Sequence, residues 1–165
     1  MILLTGATGR VGKAAATELL SKGVPFRAFV RDANKFEHAG DGVEVAVGDF
    51  TDLDSVARAL QGVTRALIVM GNHPEQAELE QRFATVAAEA GVAHLVKVSS
   101  MEAAPDATAA LPKNHFETEQ TIAELDLDWT FLRPNYYMQN MLMYAASVSR
   151  ASSFALPLGR ANTAM

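Results

Sequence analysis

The stretch Thr5-Gly6-Ala7-Thr8-Gly9-Arg10-Val11-Gly12 decides the fold. Its glycines have the spacing GxxGxxG, and they stand between an apolar run at Met1–Thr5 and a segment whose apolar residues recur with helical period. In this context the pattern is typical of the strand, turn and helix that open a Rossmann dinucleotide-binding fold. Gly6 would form the tight turn, Gly9 would let a pyrophosphate approach the backbone, and Gly12 would let the helix pack closely on the strand. The alternative is a glycine-rich turn that binds nothing.

Further apolar runs follow at intervals, and segments of helical period separate them. These runs are Phe26–Val30, Val43–Val47, Ala66–Met70, Val92–Val98 and Trp129–Leu132. Strands that alternate with helices predict an α/β fold, in which a doubly wound parallel sheet has right-handed crossovers and helices on both faces. We expect Thr51 to cap one helix, a second helix at about 113–124, and Trp129 in the core.

The pattern is weaker after Asn135. Met138, Met141 and Leu142 have helical spacing, and Phe154–Leu158 is a short apolar stretch. We expect a dinucleotide-binding domain at residues 1–135, and the start of an incomplete substrate-binding lobe at residues 136–165.

Composition narrows the class of protein. The net charge of −5 argues against direct nucleic-acid binding, which needs a basic face. Without cysteine the chain has neither disulfides nor thiolate metal sites, and its four histidines lack ligand spacing, so we expect no metal. The first residues resemble neither a signal peptide nor a membrane span. We expect a soluble cytoplasmic protein that does not contact a membrane. A homodimer is compatible with the same composition.

Arg31 and Asp32 follow the second predicted strand, where a dinucleotide presents its adenosine ribose. An arginine here suits the 2′-phosphate of NADP, because its planar donors match phosphate oxygens, whereas an acidic residue suits the hydroxyls of NAD. We expect NADP(H) to be preferred over NAD(H). The alternative is a solvated Arg-Asp pair.

Asp49 and Phe50 follow the third predicted strand. A carboxylate could accept from the adenine amino group beside an apolar ring. A turn aspartate that only precedes the next helix is the alternative.

The order of several motifs resembles that of the NmrA-like atypical short-chain dehydrogenases, and in particular their NAD(P)H-dependent quinone oxidoreductases. The motifs are TGATGRVG from Thr5, VRD from Val30, GDF from Gly48, VKVSS from Val96 and WTFLRPNYYMQN from Trp129. The resemblance implies a Rossmann core with strand order 3-2-1-4-5-6 and a small C-terminal substrate lobe. Members of this family continue beyond the LPLG at 156–159, so we expect that lobe to be truncated here.

The resemblance also implies which residues touch the cofactor. The residues against the dinucleotide would be Gly6, Thr8, Gly9, Arg10, Val11, Gly12, Arg31, Asp49 and Phe50. Those along the ribose would be Met70, Gly71 and Asn72. Those near the nicotinamide would be Ser99, Pro134 and Asn135.

The chain contains no Tyr-x-x-x-Lys pair. In many alcohol dehydrogenases the tyrosine of this pair is the acid, and the lysine lowers its pKa. The resemblance puts His115 in its place, with Glu119 one helical turn later. Two interpretations of His115 are open: a proton donor near neutral pH, or a surface or pocket-lining side chain that pairs with Glu119. We favour the second interpretation. Tyr137 is the other candidate catalytic-site residue, as a wall for the acceptor together with Met138.

Two functions fit these observations. One is an NADPH-dependent oxidoreductase whose small-molecule acceptor is a quinone, since a hydroquinone anion is protonated by water without a tyrosine acid. The other is a non-catalytic NADP(H)-sensing regulator of NmrA type.

Overall fold

The computed structural model describes residues 1–38 and 40–153, so the apolar stretch Phe154–Leu158 lies outside the described residues. The strands are β1 Ile2–Thr5, β2 Phe26–Val30, β3 Val43–Val47, β4 Arg65–Ile68, β5 His94–Val98 and β6 Asp128–Leu132. The α-helices are α1 Arg10–Ser21, α2 Leu53–Leu60, α3 Gln76–Glu89, α4 Ala110–Ala123 and α5 Ala145–Ala151. Two 3₁₀ helices span Ala33–Lys35 and Met138–Tyr144.

The six strands form one parallel sheet in the order β3-β2-β1-β4-β5-β6. The fold is therefore the predicted Rossmann-like α/β fold with strand order 3-2-1-4-5-6. Ligands of such sheets bind beyond the carboxyl ends of the strands, where the strand order reverses between β1 and β4.

Alternate residues of β1 face opposite sides of the sheet, and each side has its own core. Leu3 packs with Val56 of α2, Phe83 of α3 and Ile122 of α4. Leu4 packs with apolar residues of α1 and β2. The sheet is thus covered on both faces, as parallel sheets generally are.

Three details of the sequence interpretation were wrong. The cap of α2 is Asp52, whose carboxylate accepts from the Ser55 N–H, because Thr51 instead donates to Asp49. Helix α4 begins at Ala110, ahead of the predicted start. Pro112 does not prevent this, since the N–H groups of a first turn have no intrahelical partner. Trp129 is 46% exposed, because β6 is an edge strand.

The chain divides into two compact units, which are described separately. The first is Met1–Arg133, and the second begins at Pro134. The described helices of the second unit contain no buried residue, and Met138 and Leu142 are 75% and 74% exposed. That this unit begins a substrate-binding lobe stays a prediction.

Candidate functional site

The glycine turn after β1 leaves no room for side chains at two positions. Gly6 has a φ of +60°, and a Cβ atom there would overlap the carbonyl oxygen of Val69. A Cβ atom at Gly12 would overlap the carbonyl oxygen of Gly6, so this glycine lets α1 approach the turn as closely as predicted. The backbone of the turn is therefore exposed to any ligand that lies over it.

The side chain of Thr5 joins the ends of β1 and β4 just before that turn. Its Oγ1 accepts from the Val69 N–H at 2.8 Å and lies 3.2 Å from two carbonyl oxygens of the β4 side. Gly9 is the N-cap of α1, and no side chain caps that helix. The amino end of α1 thus presents backbone N–H groups and a partial positive charge beside the turn, as phosphate sites do.

A cleft of about 240 Å³ opens at the carboxyl ends of β1 to β4. Eight of the predicted cofactor-binding residues line it together: Gly6, Thr8, Arg31, Asp49, Phe50, Met70, Gly71 and Asn72. They come from four loops that are far apart in the chain, and the strand order is what brings them together.

Arg31 and Asp32 take different places at the end of β2. Arg31 lines the cleft, whereas the Asp32 carboxylate caps the following 3₁₀ helix and accepts from the Asn34 N–H at 3.0 Å. The cation therefore borders the cleft while the adjacent anion is held in a local turn.

Asp49 is fixed as an acceptor at the end of β3. Its Oδ1 accepts from the Thr51 N–H at 2.8 Å and from the Thr51 hydroxyl at 2.7 Å. These two hydrogen bonds lower the pKa of Asp49; partial burial opposes them, and the nearby Arg31 charge lowers the pKa further. Asp49 therefore offers a carboxylate to the cleft at neutral pH.

Phe50 forms an apolar wall of the cleft. Its ring stacks on Phe83 with centroids 5.0 Å apart and lies tilted against Phe29 at 6.0 Å. Core residues hold the ring from one side. It therefore offers a flat apolar surface to a ligand, and binding does not have to fix the orientation of the side chain.

The remaining predicted cofactor residues lie outside the lining of this cleft. Gly9 and the first residues of α1, Arg10, Val11 and Gly12, lie at the amino end of that helix. Ser99 follows β5, and its N–H donates to the Leu132 carbonyl at 2.7 Å. Pro134, Asn135 and Tyr137 belong to the second unit.

A buried polar cluster lies between β5, α3 and α4. Nζ of Lys97 lies 2.5 Å from Oε2 of Glu80 and 3.1 Å from Nδ1 of His115. Lys97 and Glu80 have no solvent exposure, and His115 is 8% exposed. Burial raises the pKa of Glu80, while the Lys97 ammonium opposes that rise.

Glu119 has a different partner from the one expected. It accepts from the Ser99 hydroxyl at 2.6 Å and forms a two-pronged ion pair with Arg133. The interpretation of His115 as a surface or pocket-lining residue that pairs with Glu119 was therefore wrong. His115 is buried against β5 and contacts Lys97 instead.

The buried setting of His115 controls its charge. Burial, and then the Lys97 charge, lower its pKa to about 4, although Glu119 acts in the opposite direction. His115 is therefore neutral at pH 7, and its catalytic role stays a prediction.

Sequence reasoning missed Lys97 and Glu80. The available signal was a lysine inside the apolar strand β5, since a charge that is buried in a strand requires a buried partner. Helix α3 places Glu80 one turn after Gln76, and both side chains are buried. His73 and Leu79, which line the cleft, were missed as well.

A second and more open cavity, of about 280 Å³, shares Asn72 and His73 with the first. Leu111 and Asn114 of α4 contribute its opposite wall. Gln76 also lines it, and the buried Oε1 of this amide has no hydrogen-bond partner within the described protein.

Residues 6–152 match the NAD(P)H-binding family. Over 160 residues the chain is 36% identical to an NAD(P)H azoreductase of Xenophilus azovorans, a match that covers 96% of this chain and 56% of the relative. The chain thus spans about half the length of the curated relatives it matches.

Two solved structures share the fold. One is an NADPH-dependent quinone oxidoreductase of Escherichia coli in complex with NADPH (32% identity, TM-score 0.79, 90% of this chain and 53% of that chain). The other is a triphenylmethane reductase of Citrobacter sp. in complex with NADP(H) (30% identity, TM-score 0.79, 90% of this chain and 55% of that chain).

Within residues 1–38 and 40–153, no helix combines the length and apolar character that a membrane span requires.

Proposed function

The chain belongs to the NAD(P)H-binding family, and from this premise we propose that it is an oxidoreductase that transfers hydride from NADPH to a quinone-like acceptor. The observation that carries the proposal is the cleft over the glycine turn, where Arg31, Asp49 and Asn72 converge at the carboxyl edge of the sheet. Similarity to quinone, azo-compound and dye reductases supports the choice of acceptor.

The residues present fit a dinucleotide. Two glycines whose Cβ atoms would fill the turn leave its backbone open to a pyrophosphate, and the N–H groups of α1 would hold the phosphate oxygens. Asp49 and Phe50 would hold the adenine by one hydrogen bond and one apolar face. Met70, Gly71 and Asn72 would follow the ribose.

Arg31 supports a preference for NADPH over NADH. Its guanidinium borders the cleft, whereas the Asp32 carboxylate lies outside the lining of the cleft and caps the following 3₁₀ helix. A guanidinium forms charge-assisted hydrogen bonds with a phosphate, and it gains nothing comparable from a neutral ribose.

Bound NADPH supplies one hydride, which carries two electrons, and a quinone that takes it up needs one further proton to become a hydroquinone. A phenolic oxyanion takes that proton readily from water near neutral pH. The protein therefore has no need of a Tyr-Lys pair, and its task is to bind and orient both partners. The second cavity adjoins the first through Asn72 and His73, which supports an acceptor bound beside the cofactor.

Steady-state oxidation of NADPH with a panel of one quinone, one azo dye and one triphenylmethane dye tests this function. We expect turnover with at least the quinone. We expect none in Gly9→Trp, because the indole would occupy the pyrophosphate approach. Circular dichroism of this variant controls for folding. Calorimetric binding of NADP without turnover of any acceptor would instead indicate the sensor function, and the oxidoreductase proposal would then be wrong.

A further inference from the structure

The ammonium of Lys97 is surrounded by three acceptors. They are Oε2 of Glu80 at 2.5 Å, Nδ1 of His115 at 3.1 Å and the Val98 carbonyl oxygen at 3.4 Å. An ammonium has three N–H donors and no acceptor, so it satisfies all three neighbours at once. A neutral amine would offer only two donors and would direct its lone pair at one of them.

This arrangement determines where the proton of His115 lies. Since Lys97 donates to Nδ1, that nitrogen must be unprotonated, and the single N–H of the neutral imidazole is on Nε2. A hydrogen bond to one ring nitrogen commonly sets the tautomer of histidine in this way.

We propose that Lys97, itself held by Glu80, is a positioning residue that keeps His115 in the neutral Nε2–H tautomer. The tautomer follows from the buried contacts alone.

Every charged group packed around His115 is consistent with a neutral ring. Lys97 from β5 repels a second positive charge, and Glu80 from α3 is already neutralised by Lys97. Glu119 from α4 would favour a charged ring, but its carboxylate is engaged by Ser99 and by Arg133, which follows β6. Burial acts in the same direction as Lys97, and it is the largest cause of the lowered pKa.

Nitrogen NMR tests the tautomer independently of activity. In protein labelled with ¹⁵N-histidine, long-range ¹H–¹⁵N correlations distinguish the two neutral tautomers from the charged ring, and His115→Gln identifies the signal. We expect His115 to be neutral with its proton on Nε2 from about pH 8 to about pH 5, whereas an unperturbed histidine titrates near pH 6.5. An Nδ1–H tautomer, or a charged ring at neutral pH, would overturn the proposal.

The double variant Lys97→Met/Glu80→Gln removes both charges of the buried pair together. We expect a mixture of tautomers and a rise in the pKa of His115, since the Lys97 charge no longer opposes protonation. Lys13→Met, which removes an exposed ion pair with Glu37, is the matched control and should leave the His115 spectrum unchanged.

An unaltered tautomer in the folded double variant would show that Lys97 does not position the ring. If that variant does not fold, the wild-type spectrum alone still decides the tautomer. An Nε2–H tautomer in a protein that turns over no acceptor would refute the proposed function and leave the assignment of Lys97 intact.

Discussion

We expect selectivity between the two nicotinamide cofactors to depend on single side chains at the end of β2. The Arg31 guanidinium borders the cleft, and the neighbouring Asp32 carboxylate is held by the Asn34 N–H. The opposite charges on these adjacent residues thus have different surroundings. The choice of cofactor should be sensitive to the first residue and far less sensitive to the second.

Replacing Arg31 by Ala tests this selectivity. We expect NADP binding to weaken by about 1.5–3 kcal/mol, the range for a hydrogen bond to a charged group, with NAD binding nearly unchanged. Calorimetric titration of both cofactors measures the two effects. Arg82→Ala, on the exposed face of α3, is the control. Equal losses for NADP and NAD would refute the assignment to the 2′-phosphate.

The close approach of α1 to the glycine turn is also a residue-scale feature. A methyl group at Gly12 would meet the Gly6 carbonyl, whereas one at Gly71 would meet nothing within 4 Å. We expect Gly12→Ala to lower the free energy of unfolding by about 1–3 kcal/mol, as overpacking generally does. Gly71→Ala should stay within about 0.5 kcal/mol of wild type. Urea unfolding of the three proteins compares them, and equal stabilities would mean that α1 has room to move away.

At the scale of elements, helix α2 depends on a cap that sequence reasoning assigned to the wrong residue. Asp52 accepts from the Ser55 N–H at 3.2 Å and has extended backbone angles, as an N-cap residue should. Asp52→Ala should therefore cost about 1 kcal/mol of stability, while Asp52→Asn, which keeps a capping oxygen, should cost much less. Thermal unfolding compares the two variants. If both lose the same stability, the charge of Asp52 and not its capping hydrogen bond is responsible.

The helices of the second unit differ in burial from those of the first. The 3₁₀ helix Met138–Tyr144 and α5 contain no buried residue, whereas α3 buries Phe83 completely. Backbone amides at 138–151 should exchange with deuterium much faster than those of α3, because few packed contacts oppose local opening. Strong protection there in a monomer would contradict this expectation. Since a second copy could protect the same surface, the mass in solution is measured in parallel.

At the scale of the whole molecule, stability depends on pH through the buried cluster. The pKa of His115 is 6.5 in an unperturbed chain and about 4 in the folded protein. Between these values the unfolded chain binds a proton on His115 that the folded protein does not bind. The free energy of unfolding should therefore decrease as the pH falls through this window, and the contribution of His115 is fully present above it.

Denaturant unfolding of wild type and His115→Gln across that pH window measures this contribution. Glu80 acts in the opposite sense, since burial raises its pKa and its contribution is lost as the pH rises through the folded value. The difference between the two proteins cancels Glu80 and isolates His115. A difference that does not vary with pH would mean that the ring titrates normally in the folded state.

Much of the fold was predictable from the sequence because its signals are local. The glycine spacing, the apolar runs and the helical periods each involve residues a few positions apart, and they predicted every strand of the sheet to within about two residues at either end. The resemblance to a known family added the strand order, which local patterns do not contain. The local patterns and the strand order together predicted eight of the residues that line the cleft, since the carboxyl ends of parallel strands lie at the same edge of the sheet.

What only the tertiary structure decided depends on contacts between residues distant in the chain. That Arg31 borders the cleft is visible only once β2 is placed beside the loops that follow β1, β3 and β4. The exposure of Trp129 was set by the position of β6 at the edge of the sheet. Lys97, Glu80 and His115 lie on three different elements, and nothing in their spacing shows that they meet. The contacts among these three residues determine the charge and the tautomer of His115. In a buried site the position of a proton depends on the nearest polar groups, because water is excluded.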